Sequence, residues 1–565
     1  MTSSSSKKAK DVIVERDGVK YKKIVEGQAH MYYKVKDDNS QEVFYNPVQV
    51  QNRDLSILMI SLFAERRAKR VAEKLLKRAQ RQKKNDPSIA DKTLDDFLPK
   101  VKLPGIRILD ALAASGLRSI RYLKECYVSK KFLKASASTT GESCSDDGNG
   151  NNKDKSFIGE IVVNDLDPAA VEQAHENIKF NEADLTIIKP HCGDALDLMY
   201  KSRAVSEKKF DVIDLDPYGS AAPFIDAAVQ AVSNGGMLCV TCTDMVVLGG
   251  SHPETCFGRY RSMPMPNGRY LQELALRILL QTIEAKANSY GRTIRPILSV
   301  GMAFYVRVFV EIHDDKAAVV KSSLNIGHVY QSAQCPSFFV ASQGMLKKNS
   351  YVPSRGPPAS VCEETGAEFK IAGPIWLGPL HNFSVVDEAI KRLENDASPF
   401  TVPTKTPMHG LLTSVSEELS DVPLYYKLPD LCKTLHCANP PMDRVKAALI
   451  NAGYRVSGQH KEAQALKTDA PNRFIWDMFR TWIKDHPVSE KHLTEGSTAQ
   501  KILSVEPEHE VDFTIPKDFA KRKKACRFPM NPEKNWGPKP RATGKRKAED
   551  TNGTDNDNDI PQSKK

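Results

Sequence analysis

The sequence predicts an α/β fold, a domain on a seven-stranded sheet followed by a smaller mixed α/β C-terminal domain, from three observations. Short apolar runs alternate strictly with helix-length segments between residues 106 and 300; the last two runs stand only three residues apart; and the regularity ceases near residue 318. The chain begins with a polar extension of mixed charge, residues 1–42. Val43-Phe44-Tyr45-Asn46-Pro47 and Asn52-Arg53-Asp54-Leu55-Ser56 follow. Leu58, Leu62, Val71, Leu75 and Leu76 then recur at near-helical spacing among Arg and Lys, predicting a long basic amphipathic helix that Asp86-Pro87 ends. Strands are expected at Ile106–Leu112, Ile161–Asp165, Leu185–Ile188, Phe210–Leu215 and Met237–Thr241, all parallel because helical crossovers join them. Ile294–Val300 and Phe304–Ile312 are joined by Gly301-Met302-Ala303, too short for a crossover, so the last strand runs antiparallel in a hairpin. Ser136 to Lys155, rich in Ser, Gly, Asn and Asp, reads as a disordered insertion in the first crossover.

Such a sheet is the architecture of Rossmann-like S-adenosylmethionine methyltransferase domains, and it is expected to span residues 43–317. Residues 318–515 form the C-terminal domain, with helical stretches at 441–452 and 472–484. From 516 to 565 the composition turns to Lys, Arg, Asn, Asp, Pro and Gly without periodicity, reading as a disordered basic tail.

Composition excludes whole classes. In 565 residues, 40% hydrophobic and 27% charged leaves material for a large core, so neither wholesale disorder nor a small disulfide scaffold fits. The most apolar window, Gly235 to Gly250, is broken by Asp244, and no membrane partner is expected. The first residues carry no secretory apolar core, and the 11 irregularly spaced cysteines read as reduced thiols. Of the net charge of +11, much gathers in two places. Arg66 to Lys84 holds ten Lys/Arg against one acid, Lys521 to Lys547 eleven against one, and the remainder is net acidic. Clustering of this kind fits a polyanion partner.

In an open parallel sheet, ligands sit at the carboxyl ends of the strands. Strand one ends in Asp110-Ala111-Leu112-Ala113-Ala114-Ser115-Gly116-Leu117-Arg118; its single glycine argues against a dinucleotide cradle, and against a nicotinamide dehydrogenase. Strand two ends in Asn164-Asp165-Leu166-Asp167-Pro168, where Asp167 suits the N-cap and leaves Asp165 to accept bonds from a ribose diol. Asp194 after strand three suits an adenine amino group, with the Ala195 backbone beside it. Together they favour an adenosine-shaped ligand over two helix caps. Strand four ends in Asp214-Leu215-Asp216-Pro217-Tyr218-Gly219, similar to the signature of methyltransferases acting on exocyclic base amines. A delocalised amine becomes nucleophilic when its hydrogens are held: Asp216 and the Pro217 carbonyl can accept them, and Tyr218 offers a face for the base.

Five blocks then carry a closer likeness: Asn52 to Ser56, Ala114-Ser115-Gly116-Leu117-Arg118-Ser119-Ile120-Arg121-Tyr122, Asn164 to Asp167, Asp214 to Ser220, and Gly373-Pro374-Ile375-Trp376-Leu377-Gly378-Pro379-Leu380. In order, within about 43–480, they resemble the tRNA (guanine-26-N2) dimethyltransferase family, as a eukaryotic, fungal-like member. The resemblance implies transfer of two methyl groups from S-adenosylmethionine to N2 of guanine 26 of tRNA. It implies cofactor contacts at Arg53, Arg118, Asp165, Asp194 and Ala195, and catalysis centred on Asp216. Arg53 and Arg118 would meet the methionine carboxylate.

Family members often carry two Cys-x-x-Cys pairs. Here Phe338 follows Cys335 and Thr365 follows Cys362 at that spacing, so no metal is expected. Cys239 and Cys242 should diverge to opposite strand faces, and Cys432, His436 and Cys437 lack a fourth ligand. Lys521-Arg522-Lys523-Lys524 and Lys545-Arg546-Lys547 look like nuclear-import signals, with a mitochondrial form left open. A monomer is expected, with tRNA and no DNA as partner. Two rivals remain at this point: an adenine-N6 methyltransferase, and a tRNA-binding folding factor without catalysis.

Overall fold

The computed structural model describes residues 12–16, 18–35, 45–82, 92–129, 132, 157–266, 269–356, 359–395, 399–517, 519 and 525–529. The expected insertion at 136–155, the end of the basic helix at Asp86-Pro87, both import-like runs and most of the tail lie outside these residues.

The N-terminal extension contains an antiparallel meander that its mixed composition did not announce: β1 (Val12–Arg16), β2 (Val19–Glu26) and β3 (Ala29–Lys34). Tyr21, Glu26, Ala29, Met31 and Tyr32 are buried in it, and the Tyr32 ring packs 4.8 Å from Phe180. Helix α1 (Val50–Gln82) follows, then β4 (Ile106–Asp110), α2 (Leu117–Glu125), β5 (Ile158–Asp165), α3 (Pro168–Phe180), β6 (Ile188–Cys192), α4 (Ala195–Arg203), β7 (Phe210–Leu215), α5 (Ala222–Ala231), β8 (Val232–Cys242), α6 (Pro253–Tyr260), α7 (Leu271–Asn288), β9 (Arg292–Met302) and β10 (Tyr305–Asp314). The sheet order is β6-β5-β4-β7-β8-β10-β9. The pairs β4–β5, β5–β6, β4–β7 and β7–β8 are parallel, and β10 is antiparallel to both neighbours. The third strand sits later than the apolar run Leu185–Ile188 suggested. It lies at the sheet edge, where a strand tolerates Pro190 and polar neighbours, and the apolar run is partly the turn that enters it.

Residues alternate between the two faces of the sheet. Ile108, Val163, Val212 and Cys239 face α1, α2 and α3, with two later helices, α8 (Phe383–Glu394) and α9 (Lys405–Ser416), on the same side. Leu109, Val162, Ile213 and Cys242 face α5 and α7. Cys239 and Cys242 thus diverge, as their spacing requires. A separate core around Leu431, Leu449, Phe474 and Trp476 joins α10 (Met442–Asn451) and α11 (Asn472–Asp485).

The Gly373 to Leu380 block is a seam between these parts. Gly373 exchanges backbone hydrogen bonds with Met263 at 2.8 and 2.9 Å, and buried Arg277 of α7 donates to the carbonyls of Trp376 and Gly378. The basic stretch of α1 divides in two. Arg66 and Arg70 are ion-paired with Glu311, Arg67 with Asp211 and Lys69 with Glu388, whereas Lys74, Lys77, Arg78 and Arg81 are exposed. Among the described residues no helix is long and apolar enough to cross a membrane.

Candidate functional site

The strand tips converge at the carboxyl end of the parallel sheet. The chain leaves β4 through a loop tied to strand two: the Ala113 N–H donates to the Asn164 carbonyl (2.8 Å) and the Ala114 N–H to Asp165 Oδ2 (2.8 Å). The loop closes on Gly116 at φ 72°, where an added Cβ would lie 3.1 Å from Ala174 Cβ on α3. Only glycine meets both demands without strain.

Asp167 caps α3, accepting the Ala169 N–H at 2.9 Å, with Pro168 as the first helical residue. Asp165 is therefore not a cap. Its two oxygens each hold one loop N–H, from Ala114 and Asp167, which leaves a second lone pair on each for a ligand. Asp194 does cap α4, accepting the Leu196 N–H at 2.7 Å, and is exposed; Ala195 beside it is buried. Next to Asp165 in the chain, Leu166 presents an apolar side chain 68% exposed. Acids on adjoining strand tips beside an exposed apolar side chain have the donor-set chemistry of a site for an adenosine moiety.

Asp216 lies just beyond β7 and is not a cap either, since α5 starts six residues later and Ser220 takes the Ala222 N–H (3.1 Å). The turn is latched to the tip of β8. Gly219, at φ 84°, donates to Thr243 Oγ1 (2.8 Å) and its carbonyl accepts from Thr243 N (2.9 Å); Ser220 Oγ donates to Tyr260 Oη (2.7 Å), which donates to Asp244. Tyr218 projects outward, 56% exposed.

Beneath the turn is a buried charge network. Arg118 donates to Asp216 Oδ2 through one terminal nitrogen and lies 3.4 Å from Asp214 Oδ2 through the other. Asp214 also receives both terminal nitrogens of Arg307, at 2.9 and 2.6 Å, and the Tyr122 hydroxyl at 2.5 Å. Burial pushes the Asp214 carboxyl up, but Arg118 and Arg307 outweigh it and hold the group below the usual range. Burial works against the Arg118 charge as well, and Asp214 and Asp216 more than restore it, so the guanidinium is firmly protonated. Asp216 Oδ1 has no hydrogen bond among the described residues and remains an open acceptor at the tip of the sheet.

Arg53 occupies a second network. Its Nε and Nη2 grip Glu26 at 2.6 and 2.5 Å, and Glu26 is shared with Arg121, which also bonds Asp54 and Glu125. The Asn52 to Ser56 block is thereby accounted for residue by residue. Asn52 reaches Thr241, Arg53 reaches Glu26, Asp54 reaches Arg121 and Thr404, Leu55 enters the core, and Ser56 receives Arg307. Arg53 lies under the Tyr45 ring, with its Cζ 5.8 Å from the centroid. The site thus brings Arg118, Asp165 and Asp216 onto one set of tips, with Asp194 and Ala195 at the next strand and Arg53 held on the flanking helix by Glu26.

Sequence reasoning missed Glu26 and Arg307. Arg307 carries a signal in retrospect, a lone cation in the apolar strand Phe304–Ile312, which a sheet covered on both faces can bury only against an acid.

Where a metal is concerned, one buried group among the described residues, His381, Glu418 and His460, brings ligating atoms within 4.8 Å of one another. The imidazole lone pairs are engaged by backbone N–H groups, while His381 Nε2 has no hydrogen-bond partner among the described residues and lies 4.0 Å from Glu418 Oε2. His460 Nε2 accepts the Gly301 N–H (2.9 Å) while Nδ1 faces Glu418 (2.7 Å), and His381 Nδ1 accepts the Ser299 N–H (3.3 Å). Burial drives His381 down to about 3, so it is neutral. The cluster is a polar joint between β9 and the C-terminal part. Cys335 and Cys362, the two cysteines without their Cys-x-x-Cys partners, lie with sulfurs 3.6 Å apart in a third place.

Residues 22–142 and 152–480 match the family described as N2,N2-dimethylguanosine tRNA methyltransferase. A tRNA (guanine(26)-N(2))-dimethyltransferase of Mus musculus is 37% identical over 558 residues, covering 94% of this chain and 78% of its own. That of Schizosaccharomyces pombe is 38% identical over 529 residues, covering 89% and 90%. The relative from Saccharomyces cerevisiae, named as mitochondrial, is 31% identical and covers 92% of each. Among solved structures, Trm1 from Pyrococcus horikoshii with S-adenosyl-L-methionine aligns with a TM-score of 0.57 at 24% identity, over 80% of this chain and 98% of its own, a likeness of fold.

Proposed function

The chain belongs to the N2,N2-dimethylguanosine tRNA methyltransferase family, and we propose that the turn Asp216-Pro217-Tyr218 is where it carries out that family's reaction. It is an S-adenosylmethionine-dependent tRNA (guanine-26-N2) dimethyltransferase, placing two methyl groups on N2 of guanine 26. The observation that carries the site reading is the Asp216 carboxylate, fixed through Oδ2 by Arg118 and open at Oδ1 beyond the end of β7.

S-adenosylmethionine, when bound, supplies an electrophilic sulfonium methyl. Asp165 and Asp194 would accept hydrogen bonds from its ribose and adenine, Ala195 would border the adenine, and Arg118 with Arg53 would provide positive charge for its carboxylate. Asp216 Oδ1 and the Pro217 carbonyl accept the two N2 hydrogens, which turns the nitrogen lone pair out of conjugation and aims it at the methyl. Tyr218 stacks on the base. Proper placement can supply several kcal/mol of the barrier, and no covalent enzyme intermediate is needed. As the C–N bond forms, Asp216 takes the proton. After the first transfer Asp216 releases that proton to solvent, and once the spent cofactor is exchanged for a second S-adenosylmethionine the carboxylate can accept the one remaining N–H for the second transfer.

The tRNA is gripped by the C-terminal part, 318–515, with Lys74, Lys77, Arg78 and Arg81 of α1 contributing phosphate contacts. Nuclear residence follows the two basic runs of the tail, a mitochondrial form being in keeping with the yeast relative's name. The test is incorporation of labelled methyl into unmodified tRNA transcripts carrying G26 or A26. Label in the G26 transcript alone is expected; equal label in the A26 transcript would overturn the reading.

A further inference from the structure

Tyr305 is the first residue of β10, and because that strand is antiparallel its start lies at the carboxyl end of the parallel strands. Its neighbour Val306 pairs with Cys242, the last residue of β8, so Tyr305 stands one step further out, level with Thr243. Thr243 exchanges hydrogen bonds with Gly219 in the Asp216 turn. Tyr305 is also two residues from Arg307 and shares its face of the strand. That face carries the network of Arg307, Asp214 and Arg118, which ends in Asp216.

The side chain is 1% exposed, yet its hydroxyl has no hydrogen-bond partner among the described residues. A buried hydroxyl left unpaired costs about 1–3 kcal/mol. Phenylalanine would fill the same space without that cost. Burial pushes the phenol up, and the charge of Asp216 adds to this, so the group is an O–H donor at neutral pH. Arg53 and Arg118 also act on it, which puts it within the field of the site.

We propose that the Tyr305 hydroxyl is a substrate-binding group of this enzyme, donating a hydrogen bond to an acceptor atom of the target guanine while Asp216 holds the amine. The two groups then divide the base edge by chemistry: Asp216 and the Pro217 carbonyl accept from the exocyclic amine, and Tyr305 donates to a ring or carbonyl acceptor, N3 or O6. The guanine is chosen over the cofactor's adenosine because Tyr305 lies beside the Asp216 turn, whereas Asp165 and Asp194, the adenosine contacts, are at the tips of the far strands β5 and β6; a bond to the cofactor's carboxylate, which Arg53 and Arg118 would meet, is the outcome that the affinity measurement separates. This rests on the Asp216 reading above.

The test is Tyr305→Phe in the full chain, which removes one oxygen and no volume. Three readouts are needed: S-adenosylmethionine affinity by calorimetry, kcat and KM for an unmodified tRNA transcript at saturating cofactor, and thermal midpoint. The expected result is a fall of about tenfold in kcat/KM for tRNA, with cofactor affinity unchanged and thermal midpoint equal or raised. Unchanged tRNA kinetics would overturn the proposal, leaving the hydroxyl merely trapped. Weakened cofactor affinity with normal tRNA kinetics would also overturn it, moving the contact to the cofactor. Asp216→Ala assayed alongside separates the two readings: an active Asp216→Ala enzyme sinks the Asp216 assignment, whereas an inactive one beside a fully active Tyr305→Phe sinks only the present proposal.

Discussion

Arg307 holds Asp214 through both terminal nitrogens, at 2.9 and 2.6 Å, with neither side chain exposed. The pair forms the floor on which Arg118 and the Asp216 turn rest. Removing one partner of a buried pair strands the other charge, a loss of about 3–5 kcal/mol. Arg118 and the Tyr122 hydroxyl still face Asp214 once Arg307 is gone, so Arg307→Met should lose less than that in urea unfolding, about 1.5–3 kcal/mol. Arg307→Met combined with Asp214→Asn should recover part of it, because no lone charge remains. Equal stability of the single and double variants would contradict the coupling.

Asp110 ends β4 fully buried, accepting from Ser119 Oγ at 2.7 Å. Burial raises it to about 7 from 3.8, with Arg118 opposing and Asp214 reinforcing the shift. The folded protein thus keeps this proton where the unfolded chain has released it. Its contribution to stability falls as pH rises between about 4 and 7. Asp110→Asn, which stays neutral, should gain on the wild type by up to about 2.5 kcal/mol on going from pH 5 to pH 8. Parallel pH profiles for the two proteins in urea unfolding would exclude the raised carboxyl.

Gly116→Ala places a Cβ 3.1 Å from Ala174 at a φ of 72°. The left-handed conformation alone costs about 1–2 kcal/mol for a side-chain-bearing residue. Moving the loop also disturbs Ala114 and, through it, Asp165. The expected outcome is lowered stability together with weakened S-adenosylmethionine binding in calorimetry. Gly453→Ala is the control: its φ is 84°, nothing lies within 4 Å of its added Cβ, and it should lose stability without touching cofactor affinity.

The exposed cations of α1 should meet RNA phosphates, while the paired ones support the sheet. Changing Lys74, Lys77 and Arg78 together to Ala should weaken tRNA binding and flatten the dependence of log K on log salt by about 2–3, close to one unit per contact. Neutralising Arg70, paired with Glu311 at 2.8 Å, should act on stability instead. An unchanged salt slope in the triple variant would remove α1 from the interface.

The sheet was legible because burial on both faces forces continuous apolar runs, and the hairpin because three residues cannot carry a crossover. The strand-tip acids were legible by the same logic, as was Asp167 from the proline behind it. What escaped notice depends on contacts distant in sequence. Glu26 reads as one more charge in a polar extension until folding brings it to Arg53 and Arg121. The edge strand Ile188–Cys192 needs no apolar run because one side is unpaired, so its pattern was weak. Tyr305 reads as an ordinary core aromatic; only its unpartnered hydroxyl distinguishes it.

The proposed reaction turns on Asp216 positioning N2 of guanine 26. Mass spectrometry of nucleosides from unmodified tRNA incubated with S-adenosylmethionine, wild type beside Asp216→Ala, tests it most directly. N2,N2-dimethylguanosine is expected from the wild type, with the variant slower by at least about a hundredfold. Methyladenosine from the wild type, or dimethylguanosine at comparable rate from Asp216→Ala, would contradict it.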